Sequence, residues 1–167
     1  MRPGSRLIVA LIIGWLLQYS IVPHLAIGKA TPDLLLIVVA TFSFLDGPIA
    51  GSLAGFASGV LADVVAGQVT GIQVLARTLT GYLSGTLERT VFGSTVLLVG
   101  AAMFFVSIAS QVIYVLVAFV FGEAIEFVAA VKSVILPSAV YTSLLSMVVF
   151  KKLSVFLGRE RQDTVFK

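Results

Sequence analysis

Residues 46–63 read DGPIAGSLAGFASGVLAD, and glycine returns there at every fourth position: Gly47, Gly51, Gly55 and Gly59. Asp63 takes the next place in the same rhythm. A glycine inside a helix costs roughly 1 kcal/mol relative to alanine, so a row of them needs a compensating gain. Lipid supplies one. Apolar side chains gain little by leaving one apolar medium for another, and helices associate instead through the close main-chain contact that small residues permit. Ala50, Ala54, Ser58 and Ala62, one step behind, widen the small face. Each step of four overshoots a 3.6-residue turn by about 40°, so the row winds through roughly 160° between positions 47 and 63. One straight neighbour does not cover such a row, and the expectation is a helix wedged among two or more others near the centre of a bundle. Gly81 and Gly85 continue the theme in the next segment, on the same four-residue row as Gln73 and Arg77. The role expected for Gly47, Gly51, Gly55, Gly59, Gly81 and Gly85 is helix packing, within the chain first and against a partner second.

Composition agrees with a membrane setting. Of 167 residues, 59% are hydrophobic and 11% charged, where a soluble domain carries about 25% charged residues. Mean hydropathy is +1.11. The length fits one transmembrane domain, residues 1–167, and the absence of cysteine removes disulfides, thiolate metal sites and cysteine nucleophiles. A net charge of +3 reports orientation in such a chain rather than nucleic-acid binding.

Six apolar segments are readable, at about 7–25, 32–45, 48–65, 70–87, 95–121 and 133–150. About 20 helical residues cross the roughly 30 Å hydrocarbon core; the second segment is short, and the fifth is long enough to tilt. The expected fold is therefore an all-α polytopic membrane protein, a six-helix transmembrane bundle. Thr31-Pro32-Asp33 reads as a cap, a proline at the first helical position and an acid in the first turn, and Asp46-Gly47-Pro48 repeats that logic. Ser94 is placed to cap the fifth segment, and Pro137 marks either the start of the sixth helix or a kink in it. A re-entrant hairpin of the second and third segments, giving four crossings, leaves every other loop on the same side, so charge alone does not separate the two counts.

Lysine and arginine concentrate on cytoplasmic loops. With the N-terminus inside, Arg2, Arg6, Arg89, Lys151, Lys152, Arg159, Arg161 and Lys167 fall on the cytoplasmic side against Lys29 and Lys132 outside, which places both termini in the cytoplasm. The first thirty residues also have the look of a signal peptide, but the apolar run exceeds the usual 7–15 residues and reads as a retained helix.

Arg77 is left inside the fourth segment, where an arginine costs about 2.5–3.5 kcal/mol even on a lenient scale. Asp63 is the nearest acid in sequence, across the short connection Gly67-Gln68-Val69. An Asp63–Arg77 pair holding the third and fourth segments in register is expected, with Arg77 snorkelling alone as its alternative. His24 is the single histidine and makes no metal site.

The enzyme pattern that comes nearest is that of the CDP-alcohol phosphotransferases, D-x-x-D-G-x-x-A-R followed by G-x-x-x-D-x-x-x-D. Asp46, Gly47, Ala50, Gly59 and Asp63 match it, while Ser43, Gly51 and Gly67 stand where carboxylates or arginine belong. A helix also separates Asp46 from Asp63 by about 25 Å, too far to share a metal. No catalytic residue, cofactor or metal is expected.

Pro32-Asp33-Leu34-Leu35-Leu36, then Gly47-Pro48-Ile49-Ala50-Gly51 with the ladder to Asp63, then Gly71, Arg77 and Gly81-Tyr82-Leu83-Ser84-Gly85 follow in an order that resembles the MreD family of rod shape-determining proteins. The resemblance implies a non-catalytic inner-membrane subunit of the machinery that elongates the cell wall and makes peptidoglycan. It also implies docking to an MreC-like protein with one membrane helix and, through it, to a RodA-type glycosyltransferase with its transpeptidase and an MreB-like filament. A helical architecture similar to the vitamin-capturing S components of energy-coupling factor transporters is implied as well. A solute-capturing subunit of that kind is the alternative; it requires a polar, aromatic-lined pocket, and Ala10 with Gly14 offer only a weak small-residue pair for meeting a transporter scaffold.

Overall fold

A computed structural model describes residues 3–26, 30–66, 71–91, 95–122 and 134–157. Among these residues all regular structure is helical. α1 spans Pro3–Ser20 and is followed by a 3-10 turn, Val22–Leu25; α2 spans Leu34–Ala66, α3 Ile72–Gly85, α4 Glu88–Val91, α5 Val96–Val120 and α6 Leu136–Phe156. Ser94, the connection Gly67-Gln68-Val69, and Arg2, Lys29, Lys132, Arg159, Arg161 and Lys167 lie outside the described residues.

Among the described residues four segments are long and apolar enough to cross a membrane: Ser5–His24, Leu34–Val65, Val96–Val120 and Leu136–Phe156. The second and third segments expected from the sequence are two helices that meet without a loop at Gly47, whose φ of 83° and ψ of −174° belong to a region open essentially to glycine alone. We call them α2a, residues 34–46, and α2b, residues 48–66. Pro48 directly follows the break, where its missing N–H disturbs no continuous ladder. The 14 residues of α3 reach only about 21 Å, less than the hydrocarbon core. α6 opens with Pro137 in its first turn, the position that tolerates proline best.

α2a is apolar on every side, and a helix of that kind belongs in the interior. Every residue from Leu35 to Leu45 is buried. One side of it, Leu35, Val38, Val39 and Phe42, packs with Ala10 and Leu11 of α1 and Ala54 of α2b. The other, Leu36, Ile37, Ala40 and Phe44, meets Val91 of α4 and Val99, Met103 and Val106 of α5. The centre of the bundle is therefore α2a, not the glycine-bearing α2b. α2b does have a neighbour on each side of its small face, since Gly51 abuts both Ser43 of α2a and Gly81 of α3. Its bulky residues, Ile49, Leu53, Phe56, Val60 and Val64, form an opposite stripe that stays exposed.

Candidate functional site

The glycine row forms a seam between α2b and α3. A Cβ built on Gly55 would collide with the main chain of Arg77, and one on Gly59 would lie 2.5 Å from Val74 Cα. Gly81 and Gly51 face each other, each lacking room for a Cβ against the other's carbonyl, and Gly85 sits on Gly47 and Pro48. Each step of four residues up α2b is matched by a step of four down α3, so α3 tracks the winding row over its whole length. That is why one helix covers from Gly47 to Gly59 where a straight neighbour would not. Gly47 has a second duty, as the break described above.

Asp63 continues the seam in a different chemistry. α3 begins behind Gly71, a left-handed residue with φ 75° and no side chain to cap the helix. The Asp63 carboxylate takes that place from across the hairpin: Gln73 N donates to Oδ1 at 3.3 Å and Val74 N to Oδ2 at 3.4 Å. These are first-turn amides with no partner inside their own helix, and a negative charge there is favoured by the helix dipole. Asp63 itself is buried.

Arg77 pairs with a different acid. Its Nη2 donates to Asp33 Oδ2 at 3.0 Å and its Nη1 to Asp33 Oδ1 at 3.4 Å, a two-pronged fork. Nε donates to Gln73 Oε1 at 3.4 Å, one turn back. The expected Asp63–Arg77 pair is thus corrected to Asp33–Arg77. Fixed amide donors beside Asp63 claim its carboxylate, while the long arginine side chain reaches across to the start of α2. Asp33 is also the cap of α2 itself, its Oδ1 accepting from Leu36 N at 2.8 Å, so the cap falls on Asp33 rather than two residues earlier. The guanidinium side chain is 13% exposed and the Asp33 side chain 30%, so the pair sits at the margin of the packed interior.

Around Asp33 the chain is tied down by side chains from distant helices. Gln18 of α1 accepts from Leu34 N at 2.6 Å through Oε1 and donates to Pro32 O at 3.1 Å through Nε2. Thr31 N donates to Ser138 Oγ at 3.3 Å and Asp33 N to Thr142 Oγ1 at 3.1 Å, both on α6. Between these elements and α5 lies a cavity of about 150 Å³ lined by Gln18, Asp33, Ser107, Gln111, Ser138 and Thr142 among others. Gln111 is legible in the sequence as an amide inside an apolar segment. Gln18 carried a weak signal, an amide near the end of an otherwise apolar helix, and the α6 hydroxyls carried none.

None of the described residues lining the cavity is aromatic, and its volume is about half that of the smaller ligand pockets, roughly 300 Å³. Ala10 is buried in the core with α2, and a Cβ built on Gly14 would lie 3.3 Å from Val38 and 3.8 Å from Leu35, so that pair meets the chain's own helix rather than a scaffold. Among the described residues no three His, Cys, Asp or Glu side chains group to hold a metal.

Comparison with curated proteins and with solved structures yields no significant match. A model of the family described as rod shape-determining protein MreD matches residues 3–157. Taken with the helical membrane architecture, a match over nearly the whole chain settles the assignment: this protein belongs to the MreD family, whose role is in rod shape determination.

Proposed function

We propose that this chain is a non-catalytic, multi-pass subunit of the bacterial cell-elongation machinery in the cytoplasmic membrane. It docks an MreC-like single-span protein and links it to a RodA-type glycosyltransferase, its transpeptidase and an MreB-like filament. The observation that carries the reading is the family match across residues 3–157. Its physical support is that the strongest polar groups of the described residues serve the chain's own helix ends, Asp33 on α2 and Asp63 on α3. Because the glycine row is spent on α3, the partner meets other faces, and the outward stripe Ile49, Leu53, Phe56, Val60 is available to a membrane helix.

In this reading α1, α2a, α2b, α3, α5 and α6 run alternately across the bilayer, and the eight-to-two bias of basic residues supports the orientation with both termini in the cytoplasm. A six-segment path of that kind is also what a kinship with the S components would require. The bilayer thins, or the polar first turns of α3 sit in the headgroup layer, to accommodate its length.

Affinity-tagged protein extracted gently from its own cells, with photocrosslinkers at positions 49, 53, 56 and 60, tests the assignment. A single-span coiled-coil partner in fixed ratio, and loss of rod shape on depletion, are the expected results. Retention of rod shape on depletion, or a stoichiometric small molecule with no protein partner, overturns it.

A further inference from the structure

The cavity beside Asp33 holds hydrogen-bonding capacity that the fold does not use. Half of the buried hydroxyls among the described residues return their hydrogen to a carbonyl one turn back, as Ser43, Thr80 and Ser84 do. Ser107, Ser138 and Thr142, all buried and all lining the cavity, do not. Ser138 and Thr142 accept main-chain N–H groups, which leaves each hydroxyl hydrogen to donate elsewhere. Ser107, 1% exposed, makes no hydrogen bond among the described residues. Opposite them, Gln111 spends Nε2 on Ile135 O at 3.3 Å, and its Oε1 remains as an acceptor. Buried polar groups are rarely left without partners, so a cavity of about 150 Å³ with this lining calls for a polar occupant.

The charge of that occupant follows from the same residues. Asp33 is neutralised by Arg77 at 3.0 Å, so the wall carries no net charge. A carboxylate would meet both Asp33 and Gln111 Oε1 with its lone pairs. An ammonium has no acceptor and would leave the hydroxyl hydrogens of Ser107, Ser138 and Thr142 unbonded. A carboxamide satisfies both sides at once, its oxygen accepting from the serine and threonine hydroxyls and its NH₂ donating to Gln111. We propose that the cavity between α1, the start of α2, α5 and α6 is a binding site for one neutral carboxamide group. The site stands independently of the docking role proposed above.

The test uses the full chain in phosphatidylethanolamine–phosphatidylglycerol nanodiscs and saturation-transfer NMR with three probes of one shape: propionamide, propionate and propylammonium. Transfer to propionamide alone is expected. It should be lost in Ser107→Val, which narrows the cavity and removes the hydroxyl without breaking a hydrogen bond, and reduced in Ser107→Ala, with the thermal unfolding of both variants showing that they remain folded. Equal transfer to all three probes, none to propionamide, or propionamide transfer that persists in Ser107→Val overturns the proposal. Native mass spectrometry of protein extracted from cells then separates the sources: a small amide adds its own mass, and an amide side chain of a partner brings the whole partner.

Discussion

Along the seam of α2b and α3, main chain lies on main chain at Gly51, Gly55, Gly59, Gly81 and Gly85; between α5 and α6 the gap is filled by side chains. There Val99, Met103 and Val106 pack with Leu145 and Val149. Gly100 touches Met147, and Ser143 Oγ donates to Gly100 O at 2.8 Å. The first contact has nothing in it that yields, because a backbone carbonyl has no rotamers. The second is bordered by methionine, whose unbranched chain adapts to irregular space. Two antiparallel pairs in one bundle therefore differ in how much change they absorb, and the difference is read from what stands opposite each glycine.

The sharpest way to break that comparison is to enlarge one glycine of the seam. Gly55→Leu should cost about 3 kcal/mol or more, the upper range of overpacking, since the obstacle is the main chain of Arg77. Denaturant unfolding in micelles, followed by the fluorescence of Trp15, measures it; Trp15 Nε1 donates to Leu61 O at 3.3 Å and so reports on α2b.

Breaking the ion pair comes next. Arg77→Gln should cost about 2 kcal/mol, below the 3–5 kcal/mol of a fully buried pair because Asp33 is partly open to solvent. A double-mutant cycle of Arg77→Gln with Asp33→Asn should show a coupling of about 1 kcal/mol, and with Asp63→Asn less than about 0.5 kcal/mol. Equal couplings to the two acids would remove the distinction drawn here between a salt bridge and a helix cap.

Asp63→Ala should cost about 1 kcal/mol, the usual value of a lost cap. Amide exchange should quicken at Gln73 and Val74, the two donors, while the ion pair at Asp33 stays in place.

The smallest effect is expected at Gly100→Ala. The gain in helix propensity, about 1 kcal/mol, offsets the displacement of Met147, so unfolding should shift by less than about 1 kcal/mol. Gly55→Ala in the same assay should destabilise clearly despite the same gain. If both alanines behave alike, the opposing backbone is not what decides tolerance.

Much of this was visible in the residues. The four-residue glycine period marks a close helix contact, and Asp46-Gly47-Pro48 marks the break between two helical segments, because proline and a glycine outside helical geometry interrupt a ladder by local rules. Pro137 sits where a helix begins for the same reason. The partner of Arg77 was not visible. Asp63 is the acid nearer in sequence, yet Asp33, 44 residues away, receives the guanidinium. Nearness along the chain says little about nearness across a bundle. The glycine row does not mark the central helix either, since small residues admit neighbours on one face whereas the all-round apolar surface of α2a is what demands burial. The polar cavity was out of reach, because its walls come from four separate segments, each with a residue or two of no local distinction.

By itself, then, the order of residues determines that the chain is helical and membrane-embedded, where it must break, and which faces admit intimate contact, all of which depend on neighbours within a few turns. Only the tertiary structure decides which acid meets the arginine, which helix occupies the middle, and where hydroxyls from α5 and α6 converge. Those outcomes depend on competition among distant groups for the same donors and the same space, and a linear sequence holds no record of distance.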